Sequence, residues 1–290
     1  MPWDYARSLM RAARRFHSKK AWVMSSHVAM SMMLALFPFV LFTVALSGAL
    51  ANVFSHQLEL EALVALVFGS WPEQVSDPIV KELYAVLRSS STGLVTFGGL
   101  LALFFASNGV NAIRVAMVQA YHDQDLRPFW LSRLICLALV ALGGIGILLA
   151  AVFEVALPLY VTFFADYLPQ VSVSERFGQG ISRVLILSMP FAAVFLCHVF
   201  LPGRIHRIRT ILPGVILTVV LWWASGIGFA FYVGSIAQYS ATYAGLAGAM
   251  AAMIFLYVNA CILILGAEFN GVLIDRRLQT RGKIEQDSQA

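Results

Sequence analysis

The sequence predicts an all-α integral membrane protein with six transmembrane helices and both termini on the cytoplasmic side. Three observations lead there. Of 290 residues, 60% are hydrophobic and only 12% are charged, with a mean hydropathy of +0.79; a soluble domain carries about 25% charged residues. Six apolar stretches, at about 28–51, 93–113, 134–157, 181–201, 215–236 and 246–267, each reach the roughly 20 residues a helix needs to cross a hydrocarbon core of about 30 Å. Lys and Arg are unevenly shared: 16 fall in 1–27, 114–133, 204–209 and 275–290, and 4 (Lys81, Arg88, Arg176, Arg183) in the remaining connections. The positive-inside rule puts the first set in the cytoplasm, and an even number of spans requires the termini to agree. The net charge of +5 therefore reports topology, and no nucleic-acid partner is expected.

The chain divides into a basic amphipathic cytoplasmic segment (1–27), a single transmembrane domain (28–274) and a polar cytoplasmic tail (275–290). In the first, Tyr5, Leu9, Ala12, Ala13 and Phe16 share a helical face, with Arg7, Arg11 and Arg14 mostly opposite. Such a helix suits the surface of an anionic leaflet. The apolar run after it is too long for a signal-peptide core, and no small-residue cleavage site is evident. Pro38 is placed to kink helix one. Residues 52–92 predict a helical extracytoplasmic connection, with one short helix at about 58–68 and a second opened by Asp77 and Pro78 as N-cap and first helical position. These read as interfacial struts rather than a lid.

Helix two does not stop where the membrane should. No Gly or Pro follows Gly109 until Pro128, while Ser107, Asn108, Asn111, Arg114, Gln119 and Tyr121 bring in polarity gradually. Asn111, Arg114, Val118 and Tyr121 recur on one helical face. Gly98, Ala102, Ala106 and Gly109 offer a small-residue seam. Asn108 and Asn111 suit either interhelical hydrogen bonds or a polar pathway. Arg127-Pro128-Phe129-Trp130 ends the excursion, because proline disfavours a helical residue before it and Trp suits the headgroup layer.

Further on, Gly143, Gly144 and Gly146 allow helix three to pack closely or bend. Glu154 falls near the far interface and reads as an interfacial carboxylate rather than a proton-coupling group. Helix four carries Pro190 near its centre and His198 near its end, the latter read as a hydrogen-bonded structural residue. In LPGRIHRIRTILPG (201–214), Arg204, His206, Arg207 and Arg209 form a candidate site for an anion or lipid headgroup, or serve only to fix topology. The uncharged QYSATYAG (238–245) suits a connection folded back into the bundle. Helix six ends in GAEFNG, which places Glu268 and Asn270 just past the apolar run. Cys136, Cys197 and Cys261 lie in separate apolar segments and read as buried thiols, with no disulfide, metal site or cofactor expected.

Several pieces together resemble the YihY/BrkB family of bacterial inner-membrane proteins, once misnamed ribonuclease BN. They are ALFPFVLF (35–42), SNGVNAIRVAM (107–117), RPFW (127–130), LPGRIHRIRTILPG (201–214), LW (221–222), YAGLAGAMAAMIFLY (243–257) and GAEFNG (266–271). The resemblance spans nearly the whole chain. It implies a six-helix inner-membrane protein with cytoplasmic termini, and brings neither an established activity nor a defined active site.

No phosphate-binding GxxxxGK[ST] loop, HExxH pair or acidic cluster for metal-assisted cleavage is present, so the sequence predicts no enzyme and does not support the ribonuclease name. The reading it favours is transport or flipping of a lipid-like or small polar solute. Asn108, Asn111, Arg114, Glu268 and Asn270 are the candidate pathway or gate, and an Arg114–Glu268 pair is the candidate closure. Anionic lipid headgroups on the cytoplasmic side and further copies of the chain are the expected partners. A membrane scaffold for lipids or proteins is the alternative. An intramembrane lipid enzyme using Glu154 or His198 ranks last.

Overall fold

The computed structural model describes residues 2–54, 76–77, 80–81, 92–165, 188–236 and 240–287, and all regular structure among them is helical. The helices are α1 (Pro2–Ser18), α2 (Ala21–Phe54), α3 (Thr92–Ala120), α4 (Phe129–Ala165), α5 (Ser188–Phe200), α6 (Ile208–Ile236) and α7 (Ser240–Asp287). Among the described residues, four stretches are long and apolar enough to cross a membrane: Gly98–Ala120, Phe129–Leu149, Ile208–Tyr232 and Met250–Gln279. Ala21–Leu36 and Ser188–Phe200 are shorter apolar stretches. The short helix expected at 58–68, the apolar stripe Leu83, Tyr84 and Leu87, the 158–180 connection beyond Ala165 and the side chain of Glu154 lie outside the described residues.

Helix α3 runs on to Ala120, as the unbroken 110–120 sequence dictates. It ends in a turn at Tyr121 and His122, where His122 takes a left-handed conformation (φ 57°). That is a common way for a helix to stop, although Gly usually fills the position. The RPFW segment starts α4: the Pro128 carbonyl accepts from the Leu131 and Ser132 amides at 3.0 and 3.2 Å. Arg127 donates to the Phe200 carbonyl at 2.8 Å and so caps the end of α5.

Three boundaries differ from the sequence reading. The 1–27 segment breaks at Lys19 and Lys20, with Lys20 left-handed (φ 54°), and α2 already begins at Ala21. α6 begins at Ile208 rather than 215, with Pro213 inside it. α7 absorbs Ser240 to Gly245, GAEFNG and most of the expected tail in one helix of 48 residues. At 1.5 Å per residue it is roughly 70 Å long, well over a bilayer core. Its continuity follows from composition: helix formers dominate after Leu273, and no proline interrupts.

The extension of α7 gives α1 a protein partner. Ala12 packs with Phe269, Val272 and Leu273, and Ser8 and Phe16 are also buried. Ala12 and Phe16 of the apolar face of α1 are thus covered by protein, while Tyr5, Leu9 and Met10 remain exposed. α7 also touches α2, α3 and α6, and α2 lies along α3. The seam on α3 is used at Ala102, Ala106 and Gly109 but not at Gly98, which has open space beside it. A Cβ at Gly109 would sit 2.8 Å from the Ala35 Cβ, so α2 and α3 are in near-contact there. On α6, Ile216, Val220, Trp223, Ile227 and Phe231 are exposed at helical spacing, forming a face suited to lipid tails.

Candidate functional site

At the end of the bundle where α1 packs, the broken and polar motifs of the sequence converge. The starting point is a proline in the second turn of α6. Pro213 cannot donate a backbone hydrogen bond and so leaves a gap in the hydrogen-bond ladder near the start of α6. Asn270 of α7 staples this region: its side-chain oxygen accepts from the Gly214 amide at 2.7 Å, and its amide nitrogen donates to the Ile211 carbonyl at 2.8 Å. The approach is possible because a glycine stands on each helix. A Cβ at Gly214 would collide with the Gly266 carbonyl and Asn270, and one at Gly266 with Thr218 and the Gly214 carbonyl. Gly271 faces the Ala120 carbonyl in the same way. The two glycines of GAEFNG thus bring α6 and α3 onto α7, with Glu268 and Asn270 held between.

Asn270 also donates to the Tyr121 hydroxyl at 2.9 Å, and that hydroxyl lies 2.7 Å from Nδ1 of His198. Tyr121 accepts from Asn270, while the direction of its bond to Nδ1 follows the His198 tautomer; the other ring nitrogen is Nε2. That nitrogen is buried and has no hydrogen-bond partner among the described residues. Burial pushes the Tyr121 phenol above its ordinary range and keeps it a donor. The Tyr121 ring stacks on His206 at 5.0 Å between centroids. His206 Nε2 in turn lies 2.8 Å from Asp123, which also accepts from the Arg204 amide at 3.2 Å. The first LPG triplet belongs to this contact: a Cβ at Gly203 would sit 2.8 Å from the Gln124 carbonyl.

Beside this network lies a cluster of charge. Glu268 is 1% exposed, and Lys19 Nζ reaches both its oxygens, at 3.1 and 3.5 Å. Lys19 also contacts Nε2 of His122. His122 lies 3.9 Å from Glu268 and 3.7 Å from Asp275, and Arg15 pairs with Asp275 at 2.7 Å.

The structure therefore unites some sequence candidates and separates others. Asn270, Glu268 and His206 share the junction. Arg114 does not meet Glu268: it pairs with Asp125, and its Nε donates to Asn111 at 3.1 Å. Each half of the expected closure is thus neutralised by a different partner. Asn108 lies on the outer side of the α3–α4 pair, accepting from Arg133 at 2.7 Å, with Arg133 over the Phe104 ring. Arg204, Arg207 and Arg209 are exposed around the junction, whereas His206 is drawn inward. Lys19, His122 and Asp275 escaped sequence reasoning as partners. The available signal was a lone acid beside an apolar run, which demands a nearby cation.

The helices and the buried polar junction define the class: a polytopic helical membrane protein with ionisable groups held inside one end of its bundle. The chain belongs to the virulence factor BrkB family, whose model matches residues 12–290. It is 28% identical over 265 residues, 87% of this chain and 90% of the relative, to the Bacillus subtilis protein named "Putative ribonuclease-like protein YfkH". It is 24% identical to a UPF0761 membrane protein of Alteromonas mediterranea (85% and 81% covered) and 23% identical to one of Pasteurella multocida (77% and 68%). No solved structure matches.

Proposed function

We propose that the protein carries or flips a lipid-like or small polar solute across the membrane, through a route that opens at the junction. One observation carries this reading: Tyr121, His198, Glu268 and Asn270 are all buried where helices converge beside a membrane-length apolar bundle. Polar and ionisable groups in such a place are costly, and they mark pathways more often than packing. Exposed Arg204, Arg207 and Arg209 around this end suit an anionic solute or headgroup. The accompanying topology is six spans in a bacterial inner membrane, both termini cytoplasmic, with the junction on the cytoplasmic side. The reading assigns no catalytic residue.

The test is reconstitution into liposomes carrying a fluorescent anionic phospholipid, with quencher added outside. Protein-dependent loss of the protected half of the signal supports flipping. Its reduction in an Arg204→Gln, Arg207→Gln, Arg209→Gln variant supports headgroup recognition. Absence of any protein-dependent movement of anionic and zwitterionic lipids, and of small organic anions trapped inside, would defeat the reading. A scaffold is the second reading. It is favoured by the fact that Arg114, Asn108 and Asn270 all have protein partners.

A further inference from the structure

The Glu268 cluster has an internal logic of its own. Lys19 Nζ contacts Nε2 of His122, and an ammonium can only donate. The contact is a hydrogen bond only while Nε2 is unprotonated and accepting, with the ring proton on Nδ1, the nitrogen that faces Asp275 at 3.7 Å. In this state the imidazole is neutral, and Arg15 and Lys19 balance Glu268 and Asp275. The groups facing Glu268 are Arg15 and Lys19 from α1 and its end, His122 from the end of α3, and Asp275 one face-repeat along α7. Among the described residues α2 and α6 place no ion-pair partner on it. The cluster also grades in exposure, from a Glu268 side chain at 2% to His122 and Asp275 at 32% and 33%, so a path leads from water to the buried carboxylate.

The backbone marks the same spot. The two described non-glycine residues with left-handed φ are Lys20, next to Lys19, and His122 itself, each just past the end of a helix.

We propose that Lys19, His122 and Glu268 form a proton-binding site in which uptake of one proton exchanges the partner of Glu268. The proton adds to Nε2 of His122. The hydrogen bond from Lys19 to that nitrogen is lost, and ammonium and imidazolium then repel. The new Nε2–H turns to Glu268, now 3.9 Å away, while Nδ1–H stays toward Asp275. Lys19 moves into water, and the cluster goes from neutral to a charge of one. An imidazole suits the task because it is the side chain that ordinarily changes charge between about pH 5 and 8. The consequence is mechanical: Lys19 ties the break between α1 and α2 to α7, and its release frees that break. The site stands apart from the transport reading, since it needs no carried solute.

The experiment places a spin label at exposed Ser18→Cys in the full chain with Cys136, Cys197 and Cys261 replaced by Ala, in lipid nanodiscs. Label mobility is followed as the pH falls. The expected result is an increase in mobility on acidification, lost in His122→Gln. Lys19→Met is expected to be mobile at every pH, and this variant keeps the buried carboxylate in place, so it reports even if Glu268→Gln does not fold. A mobility that stays constant with pH overturns the proposal. So does an acid-induced change of equal size in His122→Gln, which would assign the proton elsewhere.

Discussion

Replacing Asn270 by Ala tests the junction at its most connected point. The side chain is fully buried and makes three hydrogen bonds: from the Gly214 amide, to the Ile211 carbonyl and to the Tyr121 hydroxyl. Inside helical membrane proteins a side-chain hydrogen bond averages about 0.6 kcal/mol, whereas a buried backbone group left unpaired costs about 1–3 kcal/mol. Gly214 and Ile211 lie beside Pro213, which lacks an amide proton, so the local ladder has little to spare for a freed amide or carbonyl. With the two backbone groups taken at the lower end of that cost and one side-chain bond lost, the expected destabilisation for Asn270→Ala is about 2–4 kcal/mol. Asn270→Asp is predicted to be no better. It retains an acceptor for the Gly214 amide but turns a second oxygen toward the Ile211 carbonyl and the phenol. Asn259→Ala is the control: the Asn259 side chain back-bonds its own helix at the Phe255 carbonyl, while the bond from Trp222 goes to its backbone carbonyl and survives the change, and about 0.6 kcal/mol is expected. The assay is reversible unfolding of purified protein in mixed micelles, with helicity as the readout. Adding Tyr121→Phe tests connectivity, since two groups in one network are expected to couple by at least about 0.5 kcal/mol. An Asn270→Ala protein as stable as Asn259→Ala, or strict additivity with Tyr121→Phe, would refute the reasoning.

Two further outcomes follow from contacts at the same end. Gly266→Ala forces a Cβ against Thr218 and the Gly214 carbonyl and is expected to cost about 1–3 kcal/mol as overpacking; Gly98→Ala, with open space around it, is expected to be neutral in the same unfolding assay. Asp123→Ala removes the shared acceptor of His206 and the Arg204 amide. A loss of about 1.5 kcal/mol there raises local opening roughly tenfold, which trypsin cleavage at Arg204, Arg207 and Arg209 is expected to report as an equal gain in rate.

Much of the helical plan was legible because it rests on long apolar runs and on the run-on of α3 past Ile113, where nothing in the sequence breaks a helix. The boundaries that failed have physical reasons. The sequence reading starts helix five at 215, just past Pro213, but Asn270 is there to take up the backbone groups beside that proline, and this partner is 57 residues distant in sequence. The 275–290 tail reads as polar and loose, yet α1 packs on Phe269, Val272 and Leu273 and supports the helix emerging from them. Of the candidate site, Glu268, Asn270 and His206 were visible as polar residues at helix ends. Their partners were not, because Lys19 and His122 stand in connections where a basic residue reads only as topology. The Arg114–Glu268 closure failed for a related reason: similar positions near one interface do not specify which neighbouring acid, Asp125 or Glu268, an arginine will take.

The most direct measurement is sided modification of Thr218→Cys in the cysteine-free chain. Thr218 is buried, its hydroxyl has no hydrogen-bond partner among the described residues, and it lies ten positions into α6, roughly 15 Å along the helix from Ile208. If the junction is the mouth of a route for polar solutes, a small impermeant thiol reagent will modify this position from the side bearing α1, and anionic lipid or solute will slow it. If Thr218→Cys stays unmodified from both sides while the exposed control Leu126→Cys reacts normally, the junction is a sealed packing contact and the transport account is contradicted.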